Sequence, residues 1–284
     1  MSKKNLLLGT AAGKVGDLVF YRAGGEQRTR SKVTPSNPKT YAQQAQRSRM
    51  ANVTLMFRAM KALLDDSFTN RPTNQSAFNA FSAEALPISA YLLKEDAVKG
   101  KFIPIPTLIS KGVMNEPYAF AINTSNQKGV AFYANDDDPV ATVANLTAVL
   151  LREKPCCFSE GSIIIFPYLV SEDGEFPDKF QMRVAKATLS TSDTTTLSEL
   201  GMSATIQEAV GNNRPTLQLL FNGQTGAQAW GFVVLTPKTG GGYRSNTEFL
   251  RLTDEGQDAY VDNCSKSAAL KAAISYGGAQ GSCL

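Results

Sequence analysis

From residue 102 onward the chain runs as short β-branched and aromatic segments parted by turn clusters, and this rhythm restricts the fold more than any other feature. The segments are 102–109, 118–122, 129–133, 146–151, 162–170, 180–189, 216–221, 229–235 and 247–252. Asp136-Asp137-Asp138-Pro139, Glu172-Asp173-Gly174 and Gly240-Gly241-Gly242 mark turns between them. Strands at this spacing, without long helices in between, predict antiparallel pairing into a β-sandwich or barrel. A closing helix is expected over 258–276.

The region upstream follows other rules. Residues 14–20 and 27–33 read as two short strands around Gly24-Gly25, since paired glycines supply the positive φ of a tight hairpin. Pro35 and Pro38 each remove a donor and push the preceding residue out of the α region, which predicts an extended connector. Thr40 is placed to cap a helix running to about residue 66. Its apolar stripe is Ala42, Ala45, Val53, Met56, Phe57, Met60, Leu63 and Leu64. A second helix is expected over 75–86, stopped by Pro87. The fold class predicted is mainly β with α: an antiparallel β-sandwich over 98–284, preceded by a basic hairpin and helical segment over 1–97.

Charge is segregated in the same way. Residues 1–61 hold twelve Lys or Arg against Asp17 and Glu26, a balance of +10, whereas the rest holds 17 basic and 23 acidic residues, a balance of −6. The formal net charge of +4 therefore conceals a basic head on a mildly acidic body.

The chain has no histidine among its 284 residues. Histidine is the usual general base near neutral pH, the partner of Ser and Cys nucleophiles and the commonest transition-metal ligand. Ser-His-Asp and Cys-His catalysis and histidine zinc motifs are thereby excluded, and no catalytic residue, metal ligand or cofactor is predicted. The four cysteines, Cys156, Cys157, Cys264 and Cys283, match no metal-binding spacing. On a strand, Cys156 and Cys157 would point to opposite faces, giving one core thiol and one exposed thiol. Gly9-Thr-Ala-Ala-Gly13-Lys14-Val15 is one residue short of a phosphate-binding loop between its glycines, and Val15 replaces the hydroxyl. Asp136-Asp137-Asp138 lacks the alternating oxygens of a calcium loop. Trp230, among Phe232, Val233 and Val234, reads as core.

The opening Met-Ser-Lys-Lys-Asn-Leu-Leu-Leu-Gly has three consecutive leucines where a secretion signal needs about 7–15 apolar residues, so synthesis in the bacterial cytoplasm is expected. No apolar run approaches the roughly 20 residues of a membrane span, and no membrane partner is expected.

The candidate site is the basic head. Tyr21 and Tyr41, with Phe20, lie among Arg22, Arg28, Arg30, Lys32, Arg47 and Arg49. Cations interleaved with aromatics suit phosphate attraction and base stacking, and suit an acidic protein surface equally well.

Gly13-Lys-Val-Gly-Asp-Leu-Val-Phe-Tyr21, Gly25, Arg28 and Arg30, followed by Asn37-Pro38-Lys-Thr40 and Gln43-Gln44-Ala-Gln46-Arg47, resemble the opening of an uncharacterised family of Bacteroidota and phage proteins. That family begins with a G-K-x-G-x-x-V-x-Y hairpin and an N-P-x-T-x-x-Q helix start, and similar openings look like those of phage virion components. Tyr243-Arg-Ser-Asn246-Thr-Glu-Phe249-Leu is similar to the family's final strand. The resemblance implies a virion setting and carries no catalytic residue. The function expected is a non-catalytic virion component (minor capsid, decoration or connector) that forms homo-oligomers or meets other assembly proteins through its head. Nucleic-acid binding by the same head is the alternative.

Overall fold

The computed structural model describes residues 13–23, 26–33, 38–124, 127–133, 140–208, 215–222 and 226–278. By compactness the chain divides into Met1–Lys39 and Thr40–Leu284. The helices that the charge pattern grouped with the head over 1–97 therefore belong with the β-rich body, because their apolar faces are buried there.

The head is an antiparallel sheet in the order β1 (Gly13–Val15), β2 (Leu18–Ala23), β3 (Glu26–Ser31). The β2–β3 pairing runs to Ala23↔Glu26, as a two-residue hairpin connection requires. Gly24 and Gly25, like Pro35, lie outside the described residues.

The body opens with α1 (Tyr41–Ser67), which begins where expected: Thr40 Oγ1 accepts from the Gln43 amide and caps the first turn. Two stripes run along this helix. The predicted apolar one buries Val53, Met56, Phe57, Met60, Leu63 and Leu64, whereas Ala42 is exposed. The other stripe is polar and fully buried: Gln44, Ser48 and Asn52, at i, i+4 and i+8. Ser48 Oγ donates to the Leu92 carbonyl and accepts from the Leu92 amide, both at 2.7 Å. Asn52 Nδ2 donates to the Ile103 carbonyl at 3.1 Å, and its Oδ1 accepts from the Ile103 amide at 2.9 Å.

Next come α2 (Ala77–Ala85), capped by Ser76, and α3 (Lys94–Val98). The strand expected over 102–109 shrinks to β4 (Leu108–Ser110), because Pro104 and Pro106 cannot donate to a ladder. β5 (Phe120–Asn123) and β6 (Lys128–Tyr133) follow as expected. Residues 146–151, expected as a strand, are instead part of α4 (Val143–Glu153). Thr142 caps this helix, and Val143, Leu146, Thr147 and Leu150 share its buried face, a spacing of three and four rather than two.

β7 (Ile163–Ser171), β8 (Phe180–Thr188), β9 (Met202–Glu208), β10 (Pro215–Phe221), β11 (Ala227–Trp230), β12 (Val233–Pro237), β13 (Tyr243–Ser245), β14 (Glu248–Phe249) and β15 (Arg251–Leu252) complete the sheets. β9 was not expected. It pairs only with β10 and is rich in small polar residues, which weakens the period-two signal. The single strand expected over 229–235 is interrupted at Gly231-Phe232. The register against β7 nevertheless holds across the break, with Trp230 opposite Tyr168 and Val233 opposite Ile165. Pro167 sits at the interruption and has no N–H to give. A Cβ at Gly231 would lie 2.3 Å from Ile109 Cδ1, so a larger residue there requires that side chain to shift. The expected terminal helix is two: α5 (Asp254–Asn263) and α6 (Lys266–Ser275), with Ser265 capping the second.

The strands form a four-stranded sheet, β5-β6-β10-β9, and a six-stranded sheet, β13-β12-β7-β11-β15 with β8 also on β7; β14 pairs β4. All named strand pairings are antiparallel. Val130, Phe132, Leu217, Leu219 and Phe221 of the smaller sheet share one core with Ile164, Phe166, Trp230 and Val234 of the larger, and with α4. Ile165, Leu169, Val233 and Leu235, on the opposite face of the larger sheet, pack with the apolar stripe of α1 and with α2. The result is a mixed fold, about 31% helix and 33% strand, so helix is a full layer rather than an appendage.

At the turn between β7 and β8, Asp178 is fully buried and accepts from Ser171 Oγ and from the amides of Asp173 (2.9 Å), Gly174 (3.2 Å) and Lys179 (2.7 Å). Burial alone would raise its pKa, but these donors outweigh burial and hold the carboxyl below the ordinary aspartate value.

Two predictions follow from these buried groups. Asn52→Leu leaves both Ile103 backbone groups without a partner and should cost about 2–4 kcal/mol in chemical denaturation. Asp178→Ala should cost about 3 kcal/mol near neutral pH. A depressed folded pKa contributes stability above the unfolded value and loses it as pH falls through the folded one. The gap between wild type and Asp178→Ala should therefore close as pH drops through and below 3.8, as pH-dependent unfolding will report.

Candidate docking surface

Register decides what the head presents. Directly paired residues in an antiparallel ladder lie on one face and faces alternate along each strand. Lys14↔Val19, Val19↔Arg30 and Tyr21↔Arg28 therefore gather Lys14, Tyr21, Arg28 and Arg30 on a single face. Tyr21 is 40% exposed, and the Arg30 guanidinium carbon stands 5.7 Å from its ring centroid. Arg28 Nη2 is 3.9 Å from Glu26 Oε2, a solvent-exposed pair of little energetic weight. Lys32 follows β3, and its amide donates to the Asp17 carbonyl at 2.6 Å. Arg22 is paired with Gln27, and its side chain lies outside the described residues. The other face carries Val15 and Leu18, 62% and 46% exposed, beside buried Phe20.

The remaining predicted docking residues sit in the body and do different things. Tyr41 is buried with Ala45 and Ala273 in a small cluster between α1 and α6, so it offers no stacking platform. Arg49 donates from Nε to the Ser89 carbonyl at 2.9 Å and lies over the Tyr91 ring at 4.8 Å, which fixes the chain after α2 against α1. Arg47 is exposed and lines a shallow groove of about 340 Å³ with Arg58, Leu55 and Ala97. Arg47 also donates from Nη1 to Gln44 Oε1 at 3.2 Å, and of the three it is the one that stays exposed.

A further polar cluster, around Glu248, went unanticipated from sequence. Glu248, 2% exposed, pairs with Arg251 Nη1 and accepts from Tyr118 Oη at 2.8 Å, while Arg251 Nη2 donates to that same hydroxyl at 2.6 Å. The three side chains close a hydrogen-bonded ring, and Arg251 also lies 5.1 Å from the Trp230 ring. Burial pushes Glu248 above the ordinary carboxyl range against the pull of Arg251. Burial would lower Arg251, but the Glu248 charge outweighs it. Burial and Glu248 push Tyr118 up to about 12. The three side chains engage one another, which suits a clamp joining the bend before β5 to β14 and β15. Trp230, read as core, is fully buried, with Nε1 donating to Asn123 Oδ1 at 2.9 Å.

A groove of about 620 Å³ beside β9 is lined by Val140, Leu197, Met202, Ile206 and hydroxyl residues, none of them ionisable. Among the described residues no three acidic, histidine or cysteine side chains come together as metal ligands, and no helix is long and apolar enough to cross a membrane. Asp136-Asp137-Asp138 lies outside the described residues. No family model matches the chain, and neither curated proteins nor solved structures give a match.

The division of labour among the arginines is measurable. Arg49→Ala should lower stability by about 1–2 kcal/mol through the lost hydrogen bond and ring contact, whereas Arg47→Ala, which removes only the bond to Gln44 Oε1, should cost less, about 0.5 kcal/mol. Equal effects in urea denaturation would contradict this assignment.

Proposed function

We propose that the chain is a non-catalytic structural component of an assembled particle, a virion protein of the minor capsid, decoration or connector kind, which docks through its basic head onto an acidic protein surface. The observation that carries this reading is the exposed head sheet. Residues 1–39 hold eight basic residues against two acidic, a balance of +6, and the described strand residues leave Tyr21, Val15 and Leu18 open to solvent. A three-stranded sheet with one buried aromatic gains little from its own packing, and gathered like charge repels itself unless something acidic meets it. Both costs are relieved by a partner. Homo-oligomers and other assembly proteins fit this role, and no cofactor is invoked.

The contact between Tyr21 and Arg30 supports a second reading, nucleic-acid binding, because an exposed aromatic beside a guanidinium can stack a base while the cation meets phosphate.

Charge reversal in the full chain separates these readings. Arg28→Glu with Arg30→Glu should abolish co-sedimentation with particles, or self-assembly, while thermal unfolding of the body stays as in wild type. If nucleic acid is the partner, neutralising the same residues flattens the salt dependence of binding by about one unit per lost phosphate contact. Wild-type assembly and binding in the reversed variant would make the head a solvated surface and end both readings.

A further inference from the structure

Cys156 and Cys157 are not on a strand. They lie in the turn that leaves α4, where the Cys157 amide donates to the Lys154 carbonyl at 3.0 Å, and their side chains converge instead of diverging, with the sulfurs 3.5 Å apart. As the sequence suggested, one thiol is exposed and one buried. Their carbonyls are pinned from two further strands: Thr236 Oγ1 of β12 donates to the Cys157 carbonyl at 2.7 Å, and Arg244 Nη2 of β13 donates to that of Cys156 at 3.1 Å. The pair is thus held with both sulfurs on one side and one of them facing solvent.

We propose that Cys156 and Cys157 form a vicinal dithiol that a low-molecular-weight disulfide oxidises to an intrachain disulfide. Thiolate attack by exposed Cys156 on oxidised glutathione gives a mixed disulfide and one reduced glutathione. Deprotonated Cys157 then attacks the Cys156 sulfur and releases the second glutathione. The two cysteines give up two protons and two electrons, which the oxidant carries away as two thiols. Burial, with the adjacent Cys156 thiol, pushes Cys157 up to about 11, so the second step limits the rate at neutral pH and quickens as pH rises.

The test uses the full chain, incubated with oxidised glutathione, denatured, alkylated and weighed intact. The expected product is lighter by two hydrogens before alkylation and takes two alkyl groups rather than the four of the reduced chain, with one peptide carrying both unlabelled residues. Cys156→Ser should block this product and Cys264→Ser should not. A persistent glutathione adduct on Cys156 with Cys157 still alkylated would overturn the proposal. So would the same loss of two alkyl groups in Cys156→Ser, which would place the disulfide elsewhere.

Discussion

Backbone that leaves regular structure inside a protein must still find partners for its N–H and C=O groups, and the body of this fold meets that demand with side chains. Ser48 binds both the amide and the carbonyl of Leu92, and Asn52 does the same for Ile103. Asn246 takes the Val234 amide on Oδ1 and gives Nδ2 to the Phe232 carbonyl, each at 2.9 Å, across the interruption between β11 and β12. In all three cases a short polar side chain stands where a neighbouring strand would have been. The non-regular stretches at Leu92 and Ile103 can therefore be buried against α1, which in turn covers one face of the large sheet. Near the end of α1 the same device recurs: Ser67, Ser110 and Ser245 hydroxyls bind buried carbonyls, and Gly112 lies so close that a Cβ would meet the Ser245 carbonyl oxygen at 1.7 Å.

This dependence explains what could be read from the residues and what could not. The start of α1 was legible because a capping threonine after Pro38 is a local signal. The strands from β5 to β8 were legible because Ile, Val, Phe and Tyr cluster between turn residues. Leu146 to Leu151 misled because an apolar run of that length fits a buried strand and a buried helix equally, and only the Thr142 cap tells them apart. The stripe of Gln44, Ser48 and Asn52 gave no signal, since polar residues at helical spacing normally mark a solvated face. The burial of Ser48 and Asn52 follows from the backbone at Leu92 and Ile103, far along the chain, which no local window contains.

The ring of Tyr118, Glu248 and Arg251 was hidden for a similar reason. Its members come from the bend before β5 and from β14 and β15, and nothing in Thr-Glu-Phe-Leu-Arg announces that the glutamate is nearly inaccessible. Removing one partner from a buried pair leaves an uncompensated charge, so its weight lies in the damage of breaking it more than in any net gain over an apolar packing.

Of the residues singled out in the basic head, those in the hairpin lie on its own small sheet and those on α1 belong to the body, and the difference bears on the size of the basic head. Counting to Lys61 gave a balance of +10, but compactness ends the head at Lys39. Of the four cations on α1, Arg49 is engaged by the Ser89 carbonyl and Tyr91, and Lys61 pairs with Asp65. The charge that a partner would meet on the head is thus nearer the +6 of residues 1–39. It is carried on a sheet whose register, rather than its composition, brings Lys14, Arg28 and Arg30 to one face around Tyr21. A one-residue slip of β3 would send Arg28 and Arg30 to the other side. The precision of that face therefore rests on the ladder from Leu18↔Ser31 to Ala23↔Glu26, so its pattern is set by strand pairing as much as by charge.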